Sequence, residues 1–415
     1  MHRIKAVVFG LRNLIIRENA DGTRGDGDEV AIREFGRLMR FFRKRGITPV
    51  MFANHAWTKG KTGMDALLKK EWGEFTSLFS DRDGLPAKPS PEAMAAVLQR
   101  IGVSAEETLY IGNKRDDMVT AVNGKVLFLN GTWINDTIDY GFKFSSVHDI
   151  AKFIDVFCVR EHSWHFAIER DDLRFYALAP FATYDIYAQY KGYSEEARAL
   201  AKNGYGDAEF WGRYLCATML LGGIHSEAKY ACPYPSSGAG KWQDRIKESI
   251  IPFTKCFRIS YVPDLLTRHT TAPKSHENRS TANHLRQLNT IQLNPKPLNT
   301  KSGEPYKSFP IGDGKTVIVV DDICTSGYSL EAARAYIEET GAKVILISWL
   351  KTVTKPYERI SVSKTFNPRR ATKWTAVDFT ETEVPYRKAI TDDEACVELG
   401  NKLKLYKTWD WPPGC

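Results

Sequence analysis

The stretch that most constrains this chain is Thr316 to Ser329, TVIVVDDICTSGYS. A β-branched run, Thr316 to Val320, meets two adjacent carboxylates, Asp321 and Asp322, and then a small turn rich in hydroxyls. Such a run reads as a buried parallel strand that releases its polar groups at the carboxyl edge of a sheet, where ligands bind. Thr325, Ser326, Gly327 and Ser329 then open a helix that continues through Leu330, Ala333 and Ile337, with Glu331 in its first turn. Free backbone N–H groups, the positive end of the helix dipole and short hydroxyls make this loop a cradle for phosphate, and Gly327 lets the backbone come close. The two carboxylates cannot bind that phosphate. They can accept hydrogen bonds from two vicinal ribose hydroxyls, or help hold Mg²⁺, which prefers hard oxygen ligands. Phosphate and sugar diol on one element imply a ribose 5-phosphate.

Val317 to Leu330, VIVVDDICTSGYSL, resembles the phosphoribosyl pyrophosphate (PRPP) signature of type I phosphoribosyltransferases. The resemblance implies that Asp321 and Asp322 hold the ribose diol and, with the ligand, Mg²⁺. Cys324, Thr325, Ser326, Gly327, Tyr328 and Ser329 would then enclose the 5-phosphate. Upstream, the strand-like Glu227 to Cys232 leads into Pro233 and a turn, Tyr234, Pro235, Ser236, Ser237 and Gly238, shaped to turn backbone amides toward pyrophosphate. From 255 to 315 ten Lys/Arg face four Asp/Glu, and the run Leu265 to Asn283 resembles the central segment of competence-protein-F-type phosphoribosyltransferases. Thr271 and Arg279 match its pattern, while His276 and Ala282 depart from it, and the zinc-binding cysteines common at the front of that group are absent. A mobile basic loop here would close over pyrophosphate and stabilise the leaving group, with Arg268, Lys274 and Arg279 as the candidates. His269, His276 and His284 share the loop, but their uneven spacing without nearby cysteines argues against a metal site.

The first 155 residues carry a different pattern. Ile4 to Phe9 reads as a strand, Val30 to Arg45 as an amphipathic helix and Ile47 to Ala53 as a second strand, which together make a βαβ unit. Lys88-Pro89-Ser90-Pro91 precedes a helix from Glu92 to Ile101, and Thr108 to Gly112 and Lys125 to Leu129 read as further strands. The K-P-x-P and Y-I-G-x-x-x-x-D segments, in this order, resemble the haloacid dehalogenase (HAD) superfamily. There the first strand ends in D-x-D, whose acids serve as nucleophile and general acid/base. Here those places hold Gly10 and Arg12; Ala53 stands where Ser or Thr is expected; Asn113 replaces one metal-holding acid, while Lys88 and Asp117 remain. A covalent phosphoryl mechanism needs an oxygen nucleophile at the strand end, and glycine offers none. Asp21-Gly22-Thr23 spells the family's D-G-T but lies inside a glycine-rich loop, and reads as a turn. The expectation is a degenerate, catalytically inactive HAD fold serving docking, dimerisation or ligand sensing.

At 415 residues the chain has room for two or three domains, and the net charge of +8 suits anionic ligands without excluding nucleic acid. Seven cysteines, none in a C-x-x-C pair, argue against a disulfide framework or zinc site and for a reducing, cytoplasmic setting. No run approaches the roughly 18 apolar residues of a membrane span. The aromatic stripe from Trp164 to Tyr193 reads as interdomain core, Arg160 to Arg174 as the crossing between domains, and the tail from Leu405 to Cys415, with Trp409 and Trp411, as packing back on the body. From 343 to 373 eight Lys/Arg stand against one acid, with Tyr357, Phe366 and Trp374 interleaved, the best hint of nucleic-acid contact. An active-site surround is the equal alternative.

These observations define a two-domain α/β protein: a HAD-like unit at 1–157 and a phosphoribosyltransferase-like unit at 158–415, with a mainly parallel sheet and a core at about 205–355. The expected activity is transfer of ribosyl 5-phosphate from PRPP-Mg²⁺ to a nucleobase-like acceptor, or its reversal on a nucleotide. The rival is a non-catalytic module that senses PRPP or a nucleotide, or binds nucleic acid through the 343–373 face. A protein partner or second copy would dock on the HAD-like unit. An active HAD phosphatase is the third, least favoured reading.

Overall fold

The computed structural model describes residues 2–19, 21, 23–59, 61–236, 238, 246–271 and 283–415. Two six-stranded sheets organise them. The first holds β1 (Ala6–Phe9), β2 (Thr48–Ala53), β3 (Thr76–Phe79), β4 (Thr108–Gly112), β5 (Leu127–Gly131) and β6 (Phe142–Phe144). Their order across the sheet is β6-β5-β4-β1-β2-β3, and every pair is parallel. Helix α1 (Glu29–Lys44) makes the first crossover: the Asp28 carboxylate accepts from the Ala31 N–H at 2.9 Å to start it, and Arg43 and Lys44 complement its last turn. Its Phe35, Leu38, Met39 and Phe42 are buried at helical spacing. The chain leaves β1 toward β2 but leaves β4, through α2 (Arg115–Asn123), toward β5. Connections therefore diverge between β1 and β4, and a crevice opens at the carboxyl ends of those strands.

The second sheet holds β7 (Phe166–Arg170), β8 (Leu173–Phe181), β9 (Tyr230–Pro233) and β10 (Ser260–Tyr261). A separate antiparallel ribbon, β11 (Leu266–Arg268) with β12 (Ile291–Leu293), precedes its two central strands, β13 (Thr316–Cys324) and β14 (Lys343–Thr352). The order is β7-β8-β14-β13-β9-β10, parallel except for the β7–β8 hairpin. That hairpin corrects the reading of 160–174 as a crossing. The polar run Glu169 to Asp172 and a second strand buried on both faces hide the alternation that would mark strands, yet β8 pairs in register with β14 from Phe175↔Leu346 to Phe181↔Thr352. β9 connects outward to β10, while β13, through α6 (Tyr328–Glu338), connects the other way to β14; helices α3 to α5 are given below. The second crevice thus lies between β9 and β13, where Tyr234 and Asp321 emerge.

Residues 158–222 bind the two sheets into one core. α3 (Val147–Phe153) runs into one π-helical turn to Cys158; α4 (Ala188–Asn203) and α5 (Ala208–Leu221) follow β8. α5 is apolar on nearly every side because both sheets cover it. Phe210 meets Phe157 at 5.7 Å, Trp211 stacks on Trp349 of β14 at 5.6 Å, and the Arg213 guanidinium lies over Phe142, Phe144 and Phe153. The C-terminal helix α7 (Glu394–Thr408) ends in a tail that returns to the first sheet, with Trp411 against Phe41 and under Arg37. Of the aromatic stripe, Trp164, Phe166, Phe175, Tyr176 and Tyr193 are buried, whereas Tyr184 stands in solvent. Among the described residues no helix is long and apolar enough to cross a membrane.

Candidate functional site

At the crevice of the second sheet, β13 delivers Asp321 and Asp322 as the strand leaves the core. Val317, Val319 and Val320 are buried and the two carboxylates half-buried. The Asp322 N–H donates to Asp321 Oδ1 at 3.0 Å and the Ile323 N–H to Asp322 Oδ1 at 2.6 Å, which fixes both carboxylates at the strand end. Desolvation, and then the neighbouring Asp322 charge, push the Asp321 carboxyl up to about 8. Such a group is short of hydrogen-bond donors or a cation. Two adjacent hard-oxygen ligands fit Mg²⁺, which commonly uses one or two carboxylates and completes its shell with water and substrate oxygens. Among the described residues no group of three or more His, Cys, Asp or Glu is arranged to hold a metal without such help.

The loop after β13 turns at Gly327, whose φ of +92° only glycine adopts without strain and which caps α6. A side chain there would also strike the Tyr357 ring, since a Cβ would lie 2.6 Å from Cε2. Tyr357 is in turn fixed by its hydroxyl, which donates to the Glu331 carboxylate at 2.8 Å. Ser326 is buried, Thr325 exposed, and Tyr328 donates to Glu358 at 2.9 Å. His284 is enclosed beside this loop, 4.6 Å from the Tyr328 ring, and burial drives its pKa down to about 4.

Across the crevice, Tyr234 is buried beneath the turn that follows β9 and donates to Gln287 Oε1 at 2.9 Å. Burial pushes its hydroxyl up to about 12. Pro235 is buried after it, and the Ser236 carbonyl accepts from Arg268 Nε at 2.8 Å. Arg268 further donates to Thr290 Oγ1 at 2.5 Å and Gln287 Oε1 at 3.2 Å. It therefore stands on β11, buried and fully engaged, rather than in a mobile closing loop, and shapes the turn from below. Ser237, Lys274, His276 and Arg279 lie outside the described residues.

The crevice of the first sheet is built differently. Lys88 Nζ donates to Asp117 Oδ1 at 2.6 Å, to the Phe52 carbonyl at 2.9 Å and to Tyr110 at 3.3 Å, while Tyr110 donates to the same Asp117 oxygen at 2.9 Å. A Cβ on Gly10 would lie 2.8 Å from Asp117 Oδ2, so the space of an acid at position 10 is occupied by Asp117. Asn113 is buried and spends its amide on Asn130, Gly131 and Asn135. Arg12 and Lys114 both pair with Glu18. A cavity of about 230 Å³ remains, bordered by Arg12, His55, Trp57, Lys88, Lys114 and Asp117.

Residues 269–382 match the phosphoribosyl transferase domain family. This phosphoribosyl transferase match contains β13, both carboxylates and the loop through Ser329, and stops short of the Tyr234 turn upstream. No curated protein matches the chain. Solved structures that align with it include a HAD-superfamily hydrolase, subfamily IA, from Geobacter sulfurreducens PCA, at 17% identity, covering 37% of this chain and 99% of that one with a TM-score of 0.26. The cobalt-bound deoxy-D-mannose-octulosonate 8-phosphate phosphatase from Haemophilus influenzae aligns at 13% identity, 35% and 79% coverage and a TM-score of 0.24. A hypothetical protein from Xanthomonas campestris aligns at 14% identity, 35% and 74% coverage and a TM-score of 0.25.

The basic stretch at 343–373 is partly internal and partly exposed, with Lys355, Arg369, Arg370 and Lys373 in solvent. Lys343 opens β14 at the amino edge of the sheet, Lys351 is buried near the opposite edge, Arg359 pairs with Asp172 and Lys364 with Asp378. Tyr357 and Trp374 are core residues, not stacking platforms. Sequence reasoning missed Gln287, Thr290 and Lys351, which support the site through long-range contacts. Only Lys351 carried a local signal, a lone charge closing an apolar strand.

Proposed function

We propose that the C-terminal unit binds PRPP with Mg²⁺ and transfers its ribosyl 5-phosphate to a nucleobase-like acceptor, or runs the reverse on a nucleotide and pyrophosphate. The observation that carries this reading is the half-buried pair Asp321 and Asp322 at the end of β13, followed at once by the Gly327-capped loop of α6. A carboxylate pair fits a ribose diol, and a loop at a helix N-terminus fits its 5-phosphate. Mg²⁺, when bound with the substrate, would neutralise the pyrophosphate. The chain's own residues would do the rest. Asp321 and Asp322 hold the diol so that C1 faces the acceptor. The loop from Cys324 to Ser329 anchors the phosphate. The turn at Tyr234 to Ser236, set by Arg268, offers backbone amides to the pyrophosphate as the C1–O bond breaks and positive charge develops at C1.

The unit at 1–157 is proposed as a HAD-like fold without phosphatase activity, supported by Gly10 at the strand end and by the Lys88–Asp117–Tyr110 cluster that fills the space above it. The test is calorimetry of PRPP binding with and without Mg²⁺, followed by pyrophosphate release with a panel of bases. Asp321→Asn with Asp322→Asn should abolish binding and leave the fold intact; unchanged binding would sink the site assignment. Tight binding with no turnover for any base would move the chain to the sensing-module alternative.

A further inference from the structure

We infer that Lys351 is a positioning residue for the phosphate loop: its ammonium fixes the Thr325 peptide so that the Ser326 N–H faces the anion. This inference rests on the phosphoribosyl reading above. Lys351 is fully buried at the end of β14, and among the described residues no carboxylate lies within ion-pair distance of it. Its Nζ donates to the Thr325 carbonyl at 2.6 Å and to the Lys355 carbonyl at 2.6 Å, with the Thr352 and Pro356 carbonyls at 3.4 Å. The rings of Phe166 and Tyr386 flank it at 5.7 and 5.5 Å. A buried ammonium spent wholly on backbone carbonyls serves the conformation of that backbone.

The geometry follows from the peptide unit. In a planar trans peptide the C=O and the next N–H point in opposite directions. Holding Thr325 O toward Lys351 therefore aims the Ser326 N–H away from it, toward the mouth of the loop. The neighbouring segment braces the same turn. The Glu358 N–H donates to the Ser326 carbonyl at 2.8 Å, Thr352 Oγ1 meets Thr325 Oγ1 at 3.3 Å, and the Tyr357 ring lies under Gly327. Because Lys351 grips Thr325 and Lys355 together, it ties the loop to this brace.

Protonation matters to such a strut, since an ammonium has three N–H donors and an amine two. Burial lowers the pKa of Lys351 to about 8. The groups that face it are the Cys324 thiol, pushed up by burial to about 12, the Tyr386 hydroxyl, pushed up by burial, the Glu358 carboxylate and the Lys355 ammonium. A bound phosphate dianion favours the charged ammonium, so binding near pH 8 should take up protons.

The experiment is calorimetry of ribose 5-phosphate binding to the full chain from pH 7 to 9, in buffers of different ionisation enthalpy. A sugar phosphate has passed its second ionisation, near pH 6, before this range begins. Wild-type affinity should fall about tenfold as pH rises from 7 to 9, with proton uptake near pH 8. Lys351→Met should weaken binding at pH 7 by about tenfold or more and flatten the profile. Lys351→Arg, charged throughout, should also flatten it while binding better than Lys351→Met, and it serves if the methionine variant does not fold. Wild-type affinity at pH 7 in Lys351→Met, or a slope shared by wild type and Lys351→Arg, overturns the inference and leaves the phosphoribosyl reading standing. Absence of ribose 5-phosphate binding at every pH removes both.

Discussion

Asp321 shows how a single residue can be set against the stability of the apo chain. Its carboxyl, raised from 3.8 to about 8, binds a proton in the folded protein that the unfolded chain releases between those values. Stability contributed at low pH is therefore lost as pH rises from about 4 to about 8. Asp321→Asn removes that dependence: we expect it to stabilise the apo protein at pH 8 by roughly 1–2 kcal/mol, discounted because the carboxylate keeps some solvent. Thermal melts of both proteins from pH 5 to 8 test this, and a constant difference across the range would refute it. Gly10 illustrates the converse. Placing an aspartate there should not create Mg²⁺-dependent hydrolysis of a phosphate ester, because Asp117 and Lys88 already occupy the space. Hydrolysis by Gly10→Asp would show that the cluster opens readily. The sequence displayed both aspartates and the glycine, but not the crowding that decides their behaviour.

At the scale of elements, α6 is held by a buried cluster. Glu331 accepts from Arg334, from the Tyr357 hydroxyl and from the Ile360 N–H at 2.9 Å, which joins the helix to β15 (Tyr357–Val362). The sequence placed Glu331 in the first turn of this helix; folding adds two partners, Tyr357 and Ile360, that lie on another strand. Glu331→Ala takes from the buried Arg334 one of its two carboxylates, Glu338 remaining at 2.8 Å, and leaves the Ile360 N–H buried without its acceptor, at a cost of about 2–3 kcal/mol. Chemical denaturation should show this loss, and a cost under 1 kcal/mol would mean that solvent replaces the carboxylate. The strands of both sheets were legible where apolar runs meet Gly, Pro or acids, as in Thr108 to Gly112 and Thr316 to Val320. β7 and β8 were not, because charged residues from Glu169 to Asp172 interrupt the apolar run and β8 is buried on both faces, which leaves no alternation to read.

For the whole molecule, the hub is Asp155. Its carboxylate takes Arg45 of the first unit at 2.7 Å and Trp409 Nε1 of the tail at 2.9 Å, while its carbonyl takes Lys402 of α7 at 2.6 Å. With α5 packed between the sheets, the two halves should unfold in one transition, and Asp155→Ala should lower stability by about 2–3 kcal/mol without splitting it. Two resolved transitions in wild-type calorimetry would contradict the shared core. The sequence by itself determined the α/β class, the carboxylate pair with the hydroxyl-rich turn after it, and the glycine at the end of β1, because strand ends and loop chemistry are written in consecutive residues. Only the tertiary structure decided that Arg268 is buried under the Tyr234 turn, that Lys351 is buried against the Thr325 carbonyl and that the tail packs on both halves. Those depend on which distant residues share a buried space, and burial is a property of the fold, not of the neighbours along the chain.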